Sequence, residues 1–288
     1  MEGTDFDLFM SILMGIIQGV AEFLPISSSG HLALFQTFFG MENMEEKYMF
    51  FTVLLHFGTL ISVCMVYWRD IVDMIREFFL GIAALAGRKD TGVAPPPARR
   101  MVMLIIIATV PLFVMVFLQD AVNQLFSNSI MVSCALLATG FILFFSDRMA
   151  RGHKTAKNAT VADALIVGCG QALAVIPGLS RSGTTISVGM MRGFDRAFAV
   201  RFSFLMSLPA VLGANVLEIK DALASNFPIE ELPMYLVGVA VSAVVGYFAI
   251  RLVKSLSDKG KFGKFAYYCW AVGLGSLVAG IVKMMLLK

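Results

Sequence analysis

The chain has 288 residues, of which 58% are hydrophobic and only 15% are charged, with a formal net charge of +3. Average soluble domains carry about 25% charged and about 45–50% apolar residues, so this composition excludes an ordinary soluble enzyme and is typical of a helical membrane protein. The small net charge also argues against a nucleic-acid partner, because such proteins carry strongly basic surfaces.

Eight apolar stretches follow one another along the chain. A helix needs about 20 apolar residues to cross a bilayer, and the stretches are 6–24, 48–68, 101–118, 129–145, 161–176, 202–217, 234–253 and 265–287. The first and the fifth are interrupted in the same way, because Pro25 or Pro177 and a cluster of serines follow the apolar run. Irregular backbone at membrane depth is tolerated only where it is buried in protein or lines a cavity. The sequence therefore predicts an all-α integral membrane protein with about six transmembrane helices and two re-entrant helical hairpins.

The charges of the loops support this topology. Six, four and four Lys or Arg residues lie in 69–100, 146–160 and 254–264, whereas none lies in 119–128 and one in 218–233. If both interrupted segments return to the side from which they enter, all three basic loops lie on one side. The positive-inside rule makes that side cytoplasmic, and both termini then lie outside.

The two halves of the chain have the same order of elements. Each reads as a hairpin followed by three spans, and both serine clusters end in Ser-Gly. We therefore predict a single membrane domain, 1–288, built from inverted repeats of approximately 6–145 and 161–287, which is a layout of many transporters. The two hairpins would then enter from opposite faces and bring their polar tips together near the midplane.

The residues at the two tips predict a site for an anion beside a cation. Each returning half-helix begins at its tip, so its free N–H groups and its positive dipole end face the cavity, and the Arg181 guanidinium is suited to a phosphate. Gln18 and Glu22 share one face near the negative end of the first half-helix, which suits a divalent cation. His31 follows the serines and could exchange a proton near neutral pH. Further hydroxyls come from Ser27, Ser28, Ser29, Ser180, Ser182, Thr184 and Thr185.

Each of these features has a structural alternative that the sequence leaves open. Clusters of serine and glycine also serve as close-packing surfaces between membrane helices, and His31 could be a structural histidine with both nitrogens satisfied. Glu22 and Arg181 are harder to explain by packing, since a charge at membrane depth costs about 2.5–3.5 kcal/mol; their alternative is a structural ion pair. His56, in the middle of a span, either bonds between helices or approaches the site.

Two motifs, Glu22 to His31 and Pro177 to Thr185, resemble those of the undecaprenyl-diphosphate phosphatase family, the bacitracin-resistance proteins, and the likeness covers essentially the whole chain. It implies an integral enzyme of the bacterial inner (plasma) membrane that hydrolyses undecaprenyl diphosphate to undecaprenyl phosphate and inorganic phosphate. This reaction recycles the carrier lipid of peptidoglycan synthesis. The resemblance also implies a site facing the periplasm and a divalent cation, Mg²⁺ or Ca²⁺. Where the family has a polar Glu/Gln pair in the next span, this chain has Thr52 and His56.

From the resemblance and the tip residues together we predict a mechanism. A serine hydroxyl, Ser28 for preference, attacks the terminal phosphorus, with direct attack by water as the alternative. His31 accepts a proton or later activates water, and Glu22 with Gln18 positions the cation. Arg181 and the half-helix N–H groups hold the phosphate oxygens. The predicted phosphate ligands are Ser27, Ser29, Gly178, Ser180, Arg181, Ser182 and Thr185.

The rival interpretation is a membrane transporter or flippase of a lipid phosphate or another anionic substrate, because inverted repeats with broken helices are a transporter layout and one fold can host both activities. The expected partners are a polyprenyl diphosphate lipid and the membrane lipids. The sequence leaves the oligomeric state open, with a homodimer as one option.

Overall fold

The structure is a computed structural model that describes residues 8–39, 49–86, 95–118, 128–224 and 229–286, together with Val122, Gln124 and Leu125. Within these residues the chain is helical and forms no strand, only an isolated bridge between Lys154 and Phe194. The helices of the first half are α1 (Leu8–Phe23), α2 (Ser28–Phe39), α3 (Met49–Val66), α4 (Trp68–Ala86), α5 (Pro97–Thr109), α6 (Leu112–Val116) and α7 (Ser129–Met149). Those of the second half are α8 (Val161–Leu173), α9 (Arg181–Met191), α10 (Arg196–Ala224), α11 (Leu232–Asp258) and α12 (Phe265–Leu286), with 3-10 turns at Ile229–Glu231 and Phe262–Lys264.

Five helical segments of the described chain are long and apolar enough to cross a membrane: 97–116, Ser129–Met149, 196–216, Leu232–Asp258 and 262–286. A sixth candidate is the pair α3 and α4, which bends by 88° between Val66 and Trp68. Large apolar side chains such as Phe113 and Phe248 are exposed on the outer faces, as expected where lipid replaces water. The predicted class, an all-α membrane protein, is confirmed.

Two predicted spans differ in detail from the helices that form them. The span predicted at 101–118 is divided into α5 and α6 at Val110 and Pro111, because a proline has no N–H to continue the helical ladder. The span predicted at 202–217 begins earlier, at Arg196, since the Asp195 carboxylate accepts the Phe198 N–H at 2.7 Å and caps the first turn of α10.

The four helices of the two interrupted segments are short. Their 16, 12, 13 and 11 residues correspond to about 16–24 Å at 1.5 Å per residue, which is less than the hydrocarbon thickness of about 30 Å. Over the residues that the structure describes, none of α1, α2, α8 or α9 is therefore long enough to cross a bilayer alone. This length is what re-entrant half-helices require.

The hairpins are anchored to the spans by close backbone approach. α1 packs on α11, where a Cβ added to Gly15 would lie 2.6 Å from the carbonyl oxygen of Gly238. α8 packs on α5, where a Cβ added to Gly168 would lie 2.2 Å from the carbonyl oxygen of Ala108. In the predicted repeat, α1 corresponds to α8 and α11 corresponds to α5. The contact between α1 and α11 in one half is therefore matched by the contact between α8 and α5 in the other. The repeat itself stays a prediction.

The start of the second hairpin is held by Asp163, which is fully buried in the first turn of α8. Its carboxylate accepts hydrogen bonds from Lys154 at 2.8 Å, from Arg192 at 3.0 Å and from the Thr160 backbone N–H at 3.0 Å. Burial alone would raise the pKa of Asp163, but these hydrogen bonds outweigh it and lower that pKa from 3.8 to about 2. The carboxylate therefore stays ionised and ties the loop before α8 to the loop after α9.

Candidate active site

The two hairpin tips are in direct contact. A Cβ added to Gly30 would lie 2.8 Å from the Cα of Gly178, so the backbones touch at this point. The Ser182 hydroxyl also donates to the carbonyl oxygen of Leu24 at 3.3 Å. The polar turns that the sequence predicts to meet are therefore adjacent, and the buried Phe23 and Phe204 rings support them edge to face, with centroids 5.5 Å apart.

Both returning half-helices begin with the same capping geometry. The Ser27 hydroxyl accepts the Gly30 N–H at 3.1 Å, and the Ser180 hydroxyl accepts the Gly183 N–H, also at 3.1 Å. Each cap satisfies one N–H of the first turn and leaves the preceding first-turn N–H groups without an intrahelical acceptor. These N–H groups and the positive ends of two helix dipoles converge, which favours an anion.

The tight turn in each tip depends on a left-handed residue. Gly178 has φ +95°, and a Cβ there would lie 2.4 Å from the carbonyl oxygen of Val132, so glycine is required both by conformation and by space. Ser27 has φ 69°, which is uncommon for a residue with a side chain. Such conformations persist where the surrounding structure enforces them, and they concentrate at functional sites.

A cavity of about 90 Å³ lies between the tips, the space of about three water molecules at about 30 Å³ each. That volume suits a phosphate-sized group. Its lining comprises Ala21, Glu22, Ser27, Ser28, Ser29, Ala174, Leu179, Ser180 and Arg181. Both hairpins contribute, and the lining holds four hydroxyls, one carboxylate and one guanidinium.

Glu22 is the centre of the polar contacts in this cavity. Its Oε1 pairs with the Arg181 guanidinium, and its Oε2 accepts the Ser28 hydroxyl at 3.3 Å and the Gln18 amide at 3.2 Å. The side chains of Glu22 and Arg181 are only 8% and 20% exposed. One nearly buried carboxylate thus links the charge of the second hairpin to the serine and the amide of the first.

Both ring nitrogens of His31 contact groups other than Ser28. Its Nδ1 lies 2.8 Å from the carbonyl oxygen of Ser27, and its Nε2 lies 2.9 Å from the hydroxyl of Tyr268. The Ser28 hydroxyl instead donates to Glu22. The reason is local: His31 lies one turn after Ser27, so that carbonyl is the nearest acceptor for its ring.

Several predicted phosphate ligands support the tips rather than line the cavity. The Thr185 hydroxyl donates to the Arg181 carbonyl at 2.8 Å and lies 2.6 Å from the Ser203 hydroxyl, and its side chain is buried. The Ser182 hydroxyl bonds to the other tip, and Gly178 forms the turn. Ser27, Ser29, Ser180 and Arg181 do line the cavity, as do Glu22 and Ser28.

Three supporting residues were missed by sequence reasoning. Thr139, in the middle of α7, donates to the Gly178 carbonyl at 2.9 Å and accepts the Ser180 N–H at 3.2 Å. Ser203 on α10 bonds to Thr185, and Tyr268 on α12 bonds to His31. All three are ordinary polar residues inside apolar spans, and no local sequence signal distinguishes them.

The fit of a divalent cation depends on Glu22. No group of three or more His, Cys, Asp or Glu converges among the described residues, so a cage made of protein carboxylates is not found in that part of the chain. Mg²⁺, however, is commonly bound by one or two carboxylates together with substrate phosphates. The oxygens of Glu22 and Ser28 suit a hard cation that arrives with, or is completed by, a diphosphate. Gln18 donates its amide nitrogen to Glu22 in this structure, so it would have to turn its amide oxygen toward the cation.

The whole chain resembles proteins of one family. A family model described as "Bacitracin resistance protein BacA" matches residues 11–275. The undecaprenyl-diphosphatase of Alkaliphilus metalliredigens is 42% identical over 266 residues, which cover 92% of this chain and 96% of that protein. Proteins of the same name from Methanosphaera stadtmanae and Halothermothrix orenii are 38% and 40% identical, and each match covers 96% of this chain and 99% of the relative.

Proposed function

The chain belongs to the bacitracin resistance protein BacA family, and from this membership and the geometry of the two tips we propose how it acts. It is an undecaprenyl-diphosphate phosphatase, a membrane enzyme that hydrolyses undecaprenyl diphosphate to undecaprenyl phosphate and inorganic phosphate. The observation that carries the mechanism is the cavity between the tips, where Glu22 and Arg181 face each other among four serine hydroxyls.

Arg181 and the first turns of α2 and α9 bind the diphosphate. The guanidinium exchanges its contact with Glu22 for the phosphate oxygens, and the free N–H groups of Ser28 and Ser29 add neutral donors. Because the N–H donors are fixed by the capped helices before the substrate arrives, they need no reorganisation when charge builds up on the transferring phosphoryl group. Only the guanidinium moves, and it does so as the diphosphate binds.

Glu22, together with Gln18, would hold a divalent cation, Mg²⁺ or Ca²⁺, once Arg181 has turned to the phosphate. When bound, the cation would supply positive charge that neutralises the diphosphate. Among the described residues, one carboxylate lines the cavity, so the substrate would complete the ligand set. Cation and diphosphate would then bind together, each raising the affinity for the other.

Ser28 is the nucleophile. Its oxygen forms a bond to the terminal phosphorus while the bond between that phosphorus and the bridging oxygen breaks, and undecaprenyl phosphate leaves. The serine proton passes to Glu22, which already accepts its hydrogen bond. Water then attacks the phosphoserine, and the bond between phosphorus and the Ser28 oxygen breaks. His31 accepts the proton of the water in exchange for its hydrogen bond from Tyr268. Phosphate leaves, and Glu22 returns the serine proton to Ser28.

The charge distribution of the loops supports an orientation. With the basic loops in the cytoplasm, both termini and the tip cavity face the outside of the inner membrane, which is the periplasm. The isoprenyl chain leaves the cavity sideways, between spans, because only the diphosphate finds polar partners.

The test is phosphate release from a prenyl diphosphate by the purified protein in detergent. An enzyme works without a sealed compartment, whereas a transporter or flippase shows activity only across one. Release of phosphate by the wild type and its loss in Ser28→Ala support the proposal. A phosphoserine at Ser28 in acid-quenched protein identifies serine as the nucleophile, and its absence during steady turnover would indicate direct attack by water.

A further inference from the structure

A bend of 88° separates α3 from α4, and only Tyr67 lies between the two helices. The 18 residues of α3 reach about 27 Å at 1.5 Å per residue, which is close to the hydrocarbon thickness of about 30 Å. α3 is therefore long enough to cross most of the bilayer without α4. A helix perpendicular to such a span lies parallel to the membrane surface.

α4 has two stripes of residues at helical spacing, and the stripe that faces the protein contains carboxylates. Asp70 pairs with Arg201 of α10, and Glu77 pairs with Arg99 of α5 at 3.0 Å. Met74, between the two carboxylates on the same stripe, packs against the buried core. The side of α4 that contacts the spans is thus held by two ion pairs as well as by apolar packing.

The other stripe is apolar and faces away from the protein. Its side chains are between 41% and 64% exposed and follow one another at spacings of four and three residues, which places them on one side of the helix. They are Trp68, Val72, Ile75, Phe79 and Ile82. A surface helix of a soluble protein turns its apolar stripe toward the core, whereas α4 turns it outward. A contiguous apolar surface of this kind marks a contact with a membrane or another protein.

The surroundings of this apolar stripe favour lipid as the partner. α5, on which α4 packs, exposes Met103 and Ile106 in the turns that follow Arg99, so apolar surface continues from α4 onto a candidate span. The exposed flank of α4 beside the apolar stripe has a different character. It carries two arginines and one carboxylate, a net charge of +1: Arg69, Asp73 and Arg76. An apolar face next to basic residues is the pattern of helices that lie on anionic membranes.

We propose that α4 lies in the plane of the membrane at the cytoplasmic interface and binds anionic lipid. Its apolar stripe enters the acyl chains, while Arg69 and Arg76 contact the phosphates of the headgroups. The ion pairs of Asp70 and Glu77 attach the helix to α10 and α5. The side of the membrane follows from the orientation proposed above, whereas the in-plane position follows from the bend and the two stripes.

The first test measures the depth of α4 with quenchers carried by the lipid. Trp270→Phe leaves Trp68 as the sole tryptophan, in vesicles of phosphatidylcholine with bromine either near the headgroup or near the end of the acyl chain. Bromine near the headgroup should quench Trp68 more strongly. Ile75→Trp and Ile82→Trp, each made with both native tryptophans replaced by Phe, should show the same depth. A helix along the membrane normal would change depth by about 21 Å between positions 68 and 82, so unequal depths would overturn the proposal.

The polar flank of the same helix supplies a matched control. In the background without native tryptophans, Asp73→Trp should be quenched by aqueous iodide and little by brominated lipid, and Phe79→Trp should show the reverse. If a second copy of the chain or another part of it covers the apolar stripe, brominated lipid will not quench Phe79→Trp, and the proposal is wrong. If Trp270→Phe fails to fold, the difference in quenching between the wild type and Trp68→Phe gives the depth of Trp68.

The second test compares brominated phosphatidylglycerol with brominated phosphatidylcholine at equal mole fraction. The anionic lipid should bind around Trp68 about fivefold more strongly, the effect of one basic charge near an anionic surface, because Asp73 offsets one of the two arginines. Arg69→Gln combined with Arg76→Gln should abolish this preference. Equal quenching by the two lipids in the wild type would overturn the headgroup contact.

A control for the loss of charge removes two arginines at the end of α7. Arg148→Gln combined with Arg151→Gln lowers the net charge of the chain by the same amount, and it should retain the preference at Trp68. Loss of the preference in this variant would mean that the lipid responds to the charge of the whole cytoplasmic surface and would contradict a site on α4. None of these measurements depends on turnover, so they stand apart from the proposed function.

Discussion

The pair formed by Glu22 and Arg181 allows stability and catalysis to be separated by mutation. Arg181→Ala leaves a carboxylate that is 8% exposed without its cation. Breaking a buried ion pair by removing one partner costs about 3–5 kcal/mol. Gln18 and Ser28 still donate to Glu22, so we expect the lower end, about 3 kcal/mol. Phosphate release should fall at least about 10²–10³-fold, the typical loss when one preorganised donor to a transition-state oxyanion is removed.

The double variant Glu22→Gln and Arg181→Met is the decisive member of the series. It removes both charges and keeps similar volumes, and replacing a buried pair by uncharged residues is often neutral for stability. We therefore expect a wild-type unfolding midpoint in detergent without phosphate release. Recovery of both stability and activity in the double variant would refute a catalytic role and leave the pair as structural.

A matched control breaks another ion pair outside the cavity. Arg201 pairs with Asp70, and their side chains are 47% and 24% exposed. Because exposed pairs contribute only about 0–1 kcal/mol, Arg201→Ala should lower the unfolding midpoint slightly and retain phosphate release. Equal loss of activity in Arg201→Ala and Arg181→Ala would mean that the assay reports damage to ion pairs in general.

Three further measurements test the structure. Gly178→Ala should lower the unfolding midpoint and phosphate release together, because φ is +95° and the added Cβ would meet the Val132 carbonyl oxygen at 2.4 Å. Gly213→Ala should be tolerated, because the added Cβ would meet no atom within 4 Å beyond the adjoining residues of its own helix. Because the pKa of Asp163 is lowered from 3.8 to about 2, its carboxylate should stabilise the fold above about pH 4, and this stabilisation should be lost as pH falls through 2. Asp163→Asn should lack this loss, and the same dependence of the unfolding midpoint on acid pH in both proteins would contradict the role of the carboxylate. Chelation should stop turnover, and added Mg²⁺ or Ca²⁺ should restore it. Pyrophosphate should bind more tightly with the cation than without it, and equal affinity would contradict a cation that is held by Glu22 and the diphosphate together.

The sequence by itself determined the class of protein, the approximate position of most spans and the two interrupted segments. These follow from local properties: the length of apolar runs, the prolines at Pro25 and Pro177, and the charges of the loops. Glu22 and Arg181 could also be found, because a charge within an apolar stretch is costly and therefore conspicuous.

Only the tertiary structure decided which of these residues act together. Glu22 meets Arg181 across 159 positions of sequence, and His31 meets Tyr268 across 237. The same contacts assign Ser182 and Thr185 to the support of the tips and Ser28 to Glu22. A hydroxyl in a span or a tip has the same local sequence whether it lines a cavity or bonds to a neighbouring helix, because its partner is chosen by packing between distant helices.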